Sequence, residues 1–416
     1  MPSRVIQIIP FTRNSREMTI QLNTEMNWRA NLSKIPIPLS VKNDTLLSHC
    51  LESLIDGRRI STEIGSELHR NSELPGLTAL ARMIKHSRFG NSIFFNENLH
   101  VNTTNICTLA CRFCAFRKGS RHSEAYSLTA EEFASRIEPY HGVIDEVHAV
   151  GGLHPEWTIE NYQEIYELTK SRFPEVSIKS LTAVEVKHIA SRSQLSIKET
   201  LMILKNAGLN SLPGGGAEIL VDSIRDRICM GKEKSSEYLE IHEIAHQLGI
   251  PTNCTMLFGT IETIEDRMTH FDKLRTQQDS SRGFQCFVPY PFLEDNTRLP
   301  EAKLSSGEEV IRVIALSRIM LDNIPHIKAY RMNIGDHLAS IAINSGADDI
   351  DGTVGHEEIM HVAGSNARVD YDGAKLARLI QSAGQEPVKR DSTYSDFENI
   401  ASEPISECKA LPIIGQ

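Results

Sequence analysis

Cys107, Cys111 and Cys114 stand four and three residues apart in the string CTLACRFC. Thiolates are the usual ligands of a cubane iron–sulfur cluster. Three of them on one loop hold three irons and leave the fourth open to bind a small molecule and pass it an electron. Two other chemistries compete for the same residues. A zinc site wants a fourth Cys or His at metal spacing, whereas His122 lies eight residues beyond Cys114 and no second CxxC or HxxxH pair stands nearby. Free cysteine also packs as a small hydrophobe, but Arg112, Arg117 and Lys118 make this stretch a poor core segment. The spacing favours a cluster.

Other candidates sit where apolar runs end. Gly151 and Gly152, in VGGLHP, let backbone approach a ligand closely or simply turn. His154 beside them is a catalytic base or a capped loop residue. Glu185, in LTAVE, anchors a ribose or an ammonium group, or is the N-terminal acid of a helix. Gly214, Gly215 and Gly216 after Pro213 imply a backbone crowded by substrate, with Glu218 on the same bend. Phe113 shields a cluster, touches an adenine-like ligand or plugs a barrel mouth. Late in the chain Asp351 and Thr353 stand in an acidic string as substrate-binding candidates. Arg225 and Arg331 could grip a carboxylate through the guanidinium fork. His242 and His246 complete an H-E-x-x-H string of zinc-protease form, but without a third ligand they read as surface residues.

An alternation of short apolar strands with helix-period segments must position these groups. Strands are expected at residues 99–103, 146–150, 177–182, from 211, and at 252–258, 284–288, 327–332 and 349–354. Helices are expected between them, with Gly208 and Gly249 placed as C′ glycines. Eight such units predict an α/β fold, a (β/α)8 TIM-type barrel with an N-terminal helical extension and its chemistry at the strand C-terminal ends. The cysteine loop then follows strand one, Gly151 and Gly152 strand two, Glu185 strand three and the triple glycine strand four. The expected organisation is a poorly ordered extension over 1–42, a helical segment over 43–90, the barrel over 91–391 and a mobile acidic tail over 392–416.

Composition narrows the setting. The 416 residues are 40% hydrophobic and 24% charged, an ordinary soluble balance. A net charge of −10 argues against non-specific nucleic-acid binding, which needs a basic face. No apolar run approaches a membrane span, and the start MPSRVIQIIPFTRNSR shows no signal-peptide pattern. Eight cysteines are too sparse for a disulfide scaffold; Cys50, Cys229, Cys254, Cys286 and Cys408 read as ordinary thiols. A labile cluster needs a reducing compartment, which points to the cytoplasm.

With CxxxCxxC, GGLHP and a barrel pattern, the chain resembles the radical S-adenosylmethionine superfamily. That resemblance implies a [4Fe-4S] cluster on Cys107, Cys111 and Cys114. It also implies S-adenosylmethionine at the open iron near Phe113, Gly151, Gly152 and Glu185, and an electron donor such as flavodoxin or ferredoxin. The strings FNENLHVNTTNIC, EVHAVGGLHP, LTAVEVKHIA, AGLNSLPGGGAEI and LGIPTNCTMLFGTIET are similar to those of the futalosine-pathway enzymes of menaquinone biosynthesis and of the deazaflavin-forming synthases. IKAYRMNIGDHLASIAINSGADDIDGTV and HVAG resemble the aminofutalosine synthases of that pathway, whereas the cyclase sister shows a GANDFGST-like string. Cys254 and VPYPF depart from both. The synthase resemblance implies that the 5′-deoxyadenosyl radical adds to the vinyl carbon of 3-[(1-carboxyvinyl)oxy]benzoate. Aryl migration and loss of a carboxylate then give aminofutalosine and methionine, so S-adenosylmethionine is consumed. Gly214–Gly216 is the first candidate for holding the substrate carboxylates. The alternatives are the cyclase acting on dehypoxanthine futalosine, or a non-enzymatic iron–sulfur electron carrier whose cluster ignores S-adenosylmethionine.

Overall fold

The computed structural model describes residues 28–400. Cys408 and the outer parts of the expected extension and tail lie outside the described residues. The strands run in chain order as β1 (Ser92–Phe95), β2 (Asn98–His100), β3 (Glu146–Ala149), β4 (Ser177–Ser180), β5 (Leu209–Ser211) and β6 (Thr252–Phe258). They continue as β7 (Phe284–Pro291), β8 (His326–Ala329), β9 (Asp349–Ile350), β10 (Glu386–Arg390) and β11 (Phe397–Asn399).

Two half-barrels result. β2 to β5 form one parallel sheet, and β6 to β9 belong to another that continues through β1 to β10 and β11. Single parallel bridges, Leu212 to Thr252 and Asn98 to Thr353, mark the two seams. β1 also meets β9 at Phe94 and Asp349, so β1 and β2 act as one barrel strand bent at Asn96-Glu97. The architecture is the expected (β/α)8 type with loosely joined seams. Parallel strands covered on both faces read as continuous apolar runs, and every residue of β6 is buried.

Helices of the outer layer start where short polar side chains can cap them. Thr129, Ser196, Thr263 and Ser306 each accept a hydrogen bond from the third helical N–H. In the first three a Glu or Asp reaches back to the cap, completing a capping box.

Both chain ends differ from expectation. Residues 28–42, read as part of an unordered extension, hold the helices Trp28–Leu32 and Leu39–Lys42. Trp28 is buried, with the Arg29 and Arg88 guanidinium groups 4.5 and 4.4 Å from its ring, a cation–π sandwich. Helices of four and five residues are too short to show a period. At the other end, residues 392–400 belong to the fold instead of a mobile tail. β11 pairs antiparallel with β10, and Ser392 and Tyr394 are buried. Tyr394 stacks on His326 at 4.1 Å and donates to Asp349 at 2.8 Å. Arg390 pairs with Asp349 at 2.6 Å, and Ser392 donates to Glu146. His326, Asp349 and Glu146 are the first residues of their strands, so this segment plugs the barrel at the strand N-terminal ends. No helix among the described residues is long and apolar enough to cross a membrane.

Candidate active site

A cavity of about 310 Å3 runs from the cysteine loop into the barrel. Cys107, Cys111 and Cys114 all line it, all as free thiols. Backbone contacts hold their loop in place. The Thr108 N–H donates to the Leu153 carbonyl at 3.0 Å, and the Arg112 N–H to the Ile228 carbonyl at 2.8 Å. The Arg298 guanidinium donates to the Ala110 carbonyl at 2.8 Å. Burial pushes the Cys111 thiol up to about 12; a coordinating metal reverses that by taking the thiolate. Among the described residues no three His, Cys, Asp or Glu side chains converge on one metal-ion position.

The glycine signals are placed by packing. A Cβ on Gly152 would collide with the Ile106 carbonyl and lie 3.0 Å from the Cys107 Cβ. A Cβ on Gly151 would lie 2.5 Å from Thr103 Oγ1. These two glycines let strand two's end press against the cysteine loop, and Gly151 also lines the cavity. Glu185 takes the helix-capping part of its two expected roles and does not line the cavity. It sits in the capping box of the helix Ala183–Ser193, accepting from the Thr182 N–H at 2.7 Å. It also accepts from the Gly151 N–H at 2.8 Å. Burial raises its carboxyl to about 7, and its oxygens serve the protein.

The triple-glycine bend is crowded by protein more than by ligand. Gly214, at φ +83°, would collide with the Asn253 backbone, and a Cβ on Gly215 would lie 2.7 Å from the Thr182 methyl. The Gly214 carbonyl accepts from Tyr238 at 2.7 Å and Thr255 at 2.9 Å. Gly215 and Gly216 face the cavity; Gly214 does not. Glu218 lines it, at φ +46°, ion-paired with Lys232 and accepting from the Tyr290 hydroxyl at 3.2 Å. Phe113 lines it too, with Lys232 Nζ 5.6 Å from its ring.

Asp351 reaches the cavity, while Thr353 stands behind it with Oγ1 3.0 Å from the Asp351 carboxylate and 3.0 Å from Asn98 Oδ1. Five other candidates lie off the site. His154 stacks on Trp157 at 5.2 Å, its Nδ1 accepting from the Glu156 N–H, and does not line the cavity. Arg225 is buried against Glu233 at 3.1 Å and the Gly216 carbonyl at 3.1 Å, bracing the glycine bend. Arg331 holds the Thr353 carbonyl at 3.0 Å and Asp336 at 3.2 Å. His242 and His246 are not surface residues. They meet Thr252 Oγ1 at 2.9 and 2.8 Å, His242 fully buried, and burial drives the His246 pKa down to about 4.

The inner wall carries polar side chains that the sequence reading passed over. His100, His148 and Lys179 are cross-strand neighbours in register on β2, β3 and β4 and all line the cavity. His100 and His148 stack at 4.5 Å, and His100 pairs with Glu357 at 2.5 Å. Across the barrel Lys328 pairs with Asp349 at 2.7 Å, as Lys179 does with Glu146 at 2.7 Å. Charged residues inside otherwise apolar strands, in EVHA, SIKS and HIKA, were the signal available.

Comparison with known proteins follows the same division. The radical SAM superfamily signature matches residues 101–274, and that of the CofH/MqnC C-terminal region matches residues 281–403. The chain is 37% identical to the aminodeoxyfutalosine synthase of Thermus thermophilus, covering 85% of this chain and 96% of that one. It is 36% identical to the 5-amino-6-(D-ribitylamino)uracil–L-tyrosine 4-hydroxyphenyl transferase of Methanothermobacter thermautotrophicus, covering 79% and 91%. To the cyclic dehypoxanthine futalosine synthase of Streptomyces coelicolor it is 32% identical, covering 87% and 92%. Its fold is similar to that of methylornithine synthase (PylB), with a TM-score of 0.66 at 18% identity over 81% of this chain and 96% of that one.

Proposed function

This chain belongs to the radical SAM superfamily of enzymes, with a CofH/MqnC-type C-terminal region, and from that membership we propose that it is an aminofutalosine synthase. It would join the 5′-deoxyadenosyl group of S-adenosylmethionine to 3-[(1-carboxyvinyl)oxy]benzoate with loss of one carboxylate. One observation carries the choice: Asp351, from the GADDIDGTV string that resembles the synthases, lines the same cavity as the three thiols.

Cys107, Cys111 and Cys114 would hold a [4Fe-4S] cluster, with S-adenosylmethionine as substrate beside it near Phe113, Gly151 and Gly152. The cluster, when bound, supplies the single electron that opens the sulfonium. The chain's residues do the positioning. Phe113, Phe116, Leu153, Leu257 and Phe292 make the wall near the thiols apolar and exclude water. Joining two molecules at one carbon is a proximity problem, and a narrow walled cavity holds both in line. Gly215, Gly216, Glu218 and Asp351 supply polar contacts along its sides. The electron would come from a flavodoxin or ferredoxin in the cytoplasm.

The test is product identity. Anaerobically reconstituted protein with S-adenosylmethionine and the enol ether is expected to yield aminofutalosine by mass spectrometry. Finding only 5′-deoxyadenosine, together with turnover of dehypoxanthine futalosine, would move the assignment to the cyclase.

A further inference from the structure

We propose that Lys179 and Lys328, with His148 beside them, form a carboxylate seat on the floor of the cavity that binds the ring carboxylate of an aryl-acid substrate. The proposal rests on the synthase reading and extends it to the group that fixes the far end of the substrate.

Donor inventory is the first argument. An ammonium carries three N–H donors. Lys328 spends one on Asp349 at 2.7 Å. Lys179 spends one on Glu146 at 2.7 Å and reaches the Ser392 carbonyl at 3.5 Å. The His148 ring has no hydrogen-bond partner among the described residues and stacks on the His100 ring. All three side chains line the cavity. Donors not fully spent on the protein and facing a cavity are free to meet an acceptor there.

Charge is the second argument. The Asp349 carboxylate is shared between Lys328 and Arg390, and Glu146 serves Lys179. Asp351 lines the same cavity, so three carboxylates stand against three cations and an incoming carboxylate is held by the hydrogen bonds it is given, not by a net surplus of charge. Burial and the neighbouring charges of His100, Lys179 and Lys328 keep His148 neutral, which leaves it one N–H to donate. A carboxylate suits such a set through charge-assisted hydrogen bonds.

Placement is the third. The thiols lie at the opposite end of the cavity, past the ends of β2 and β3. The vinyl carbon must sit at that end to meet the adenosyl carbon. The ring carboxylate, on the far side of the aryl group, then points at the lysines.

The experiment uses reconstituted enzyme with S-adenosylmethionine and two unreactive probes, 3-[(1-carboxyethyl)oxy]benzoate and its ring methyl ester. Wild type is expected to bind the acid at least about 30-fold more tightly than the ester, the scale for a buried charge partner. Lys328→Met and Lys179→Met should bring that ratio close to one, and Lys328→Arg should keep most of it. Asp349 retains Arg390 in the first variant, and Lys328→Gln gives a second route should it fold poorly. A wild-type ratio near one, or variants that keep the full wild-type ratio, would overturn the seat. If wild type makes no aminofutalosine yet discriminates acid from ester through these lysines, the synthase reading fails and the seat stands.

Discussion

His100 carries its charge inside the barrel wall at the expense of its own burial. Burial works against a charged imidazole, but Glu357 at 2.5 Å prevails, so the His100 pKa lies above its ordinary 6.5. The same contact holds the Glu357 carboxyl below its ordinary 4.5 despite burial. The pair therefore stabilises the fold between those two values. Its contribution is lost as pH rises through the raised His100 pKa, and again as pH falls through the lowered Glu357 pKa. Glu357→Gln is expected to cost about 3 kcal/mol, as for a broken buried pair. In thermal unfolding the gap to wild type should be widest near pH 6 and shrink above the His100 pKa. A gap that widened with rising pH would show His100 to be neutral. Cys111 supplies a second test at this scale. Cys111→Ala is expected to lose most of its iron after anaerobic reconstitution and all aminofutalosine formation, measured by iron assay and mass spectrometry. A variant with full activity would remove the thiols from the chemistry.

The loops at strand ends show how far a sequence pattern reaches. VGGLHP announces a close backbone approach, and the approach exists, but what does the approaching is the cysteine loop at Ile106 and Cys107. One chain carries no sign of which distant segment will arrive there. Gly152→Ala is accordingly expected to lower iron occupancy and cost about 1–3 kcal/mol, the range for overpacking, with all eight cysteines intact. Iron-to-protein ratio and denaturant unfolding check it. Thr182 to Glu185 was legible in another way, since T-x-x-E is a capping-box spelling. Strand β6 has the expected bounds because seven buried residues leave a continuous apolar run. The strands β1, β10 and β11 escaped because none of them precedes an obvious helix. Lys179, Lys328 and His148 escaped for a subtler reason. Period-two alternation puts side chains inside a barrel as well as outside it, and a single sequence does not say which set faces inward.

At the scale of the molecule, the floor of the cavity is finished by the end of the chain. Arg390, Ser392 and Tyr394 reach Asp349 and Glu146 from β10 and the turn after it. Arg390→Met leaves Asp349 with Lys328 as its one cation and the Tyr394 hydroxyl as donor, and is expected to destabilise the fold by about 3–5 kcal/mol, read in urea unfolding. It should also weaken acid-probe binding more than cluster loading, since no residue of the cysteine loop touches Arg390 among its described hydrogen-bond partners.

The plug gives the chain an uneven vulnerability. Every string by which the superfamily is known ends well before Glu386, the first residue of β10. A proteolytic fragment cut there would retain the three thiols, the paired glycines and the triple-glycine bend. It would lack Arg390, Ser392 and Tyr394, which close the base of the barrel, so the presence of those motifs does not certify an intact cavity floor. Quality control for this enzyme belongs at the C-terminus, by intact mass.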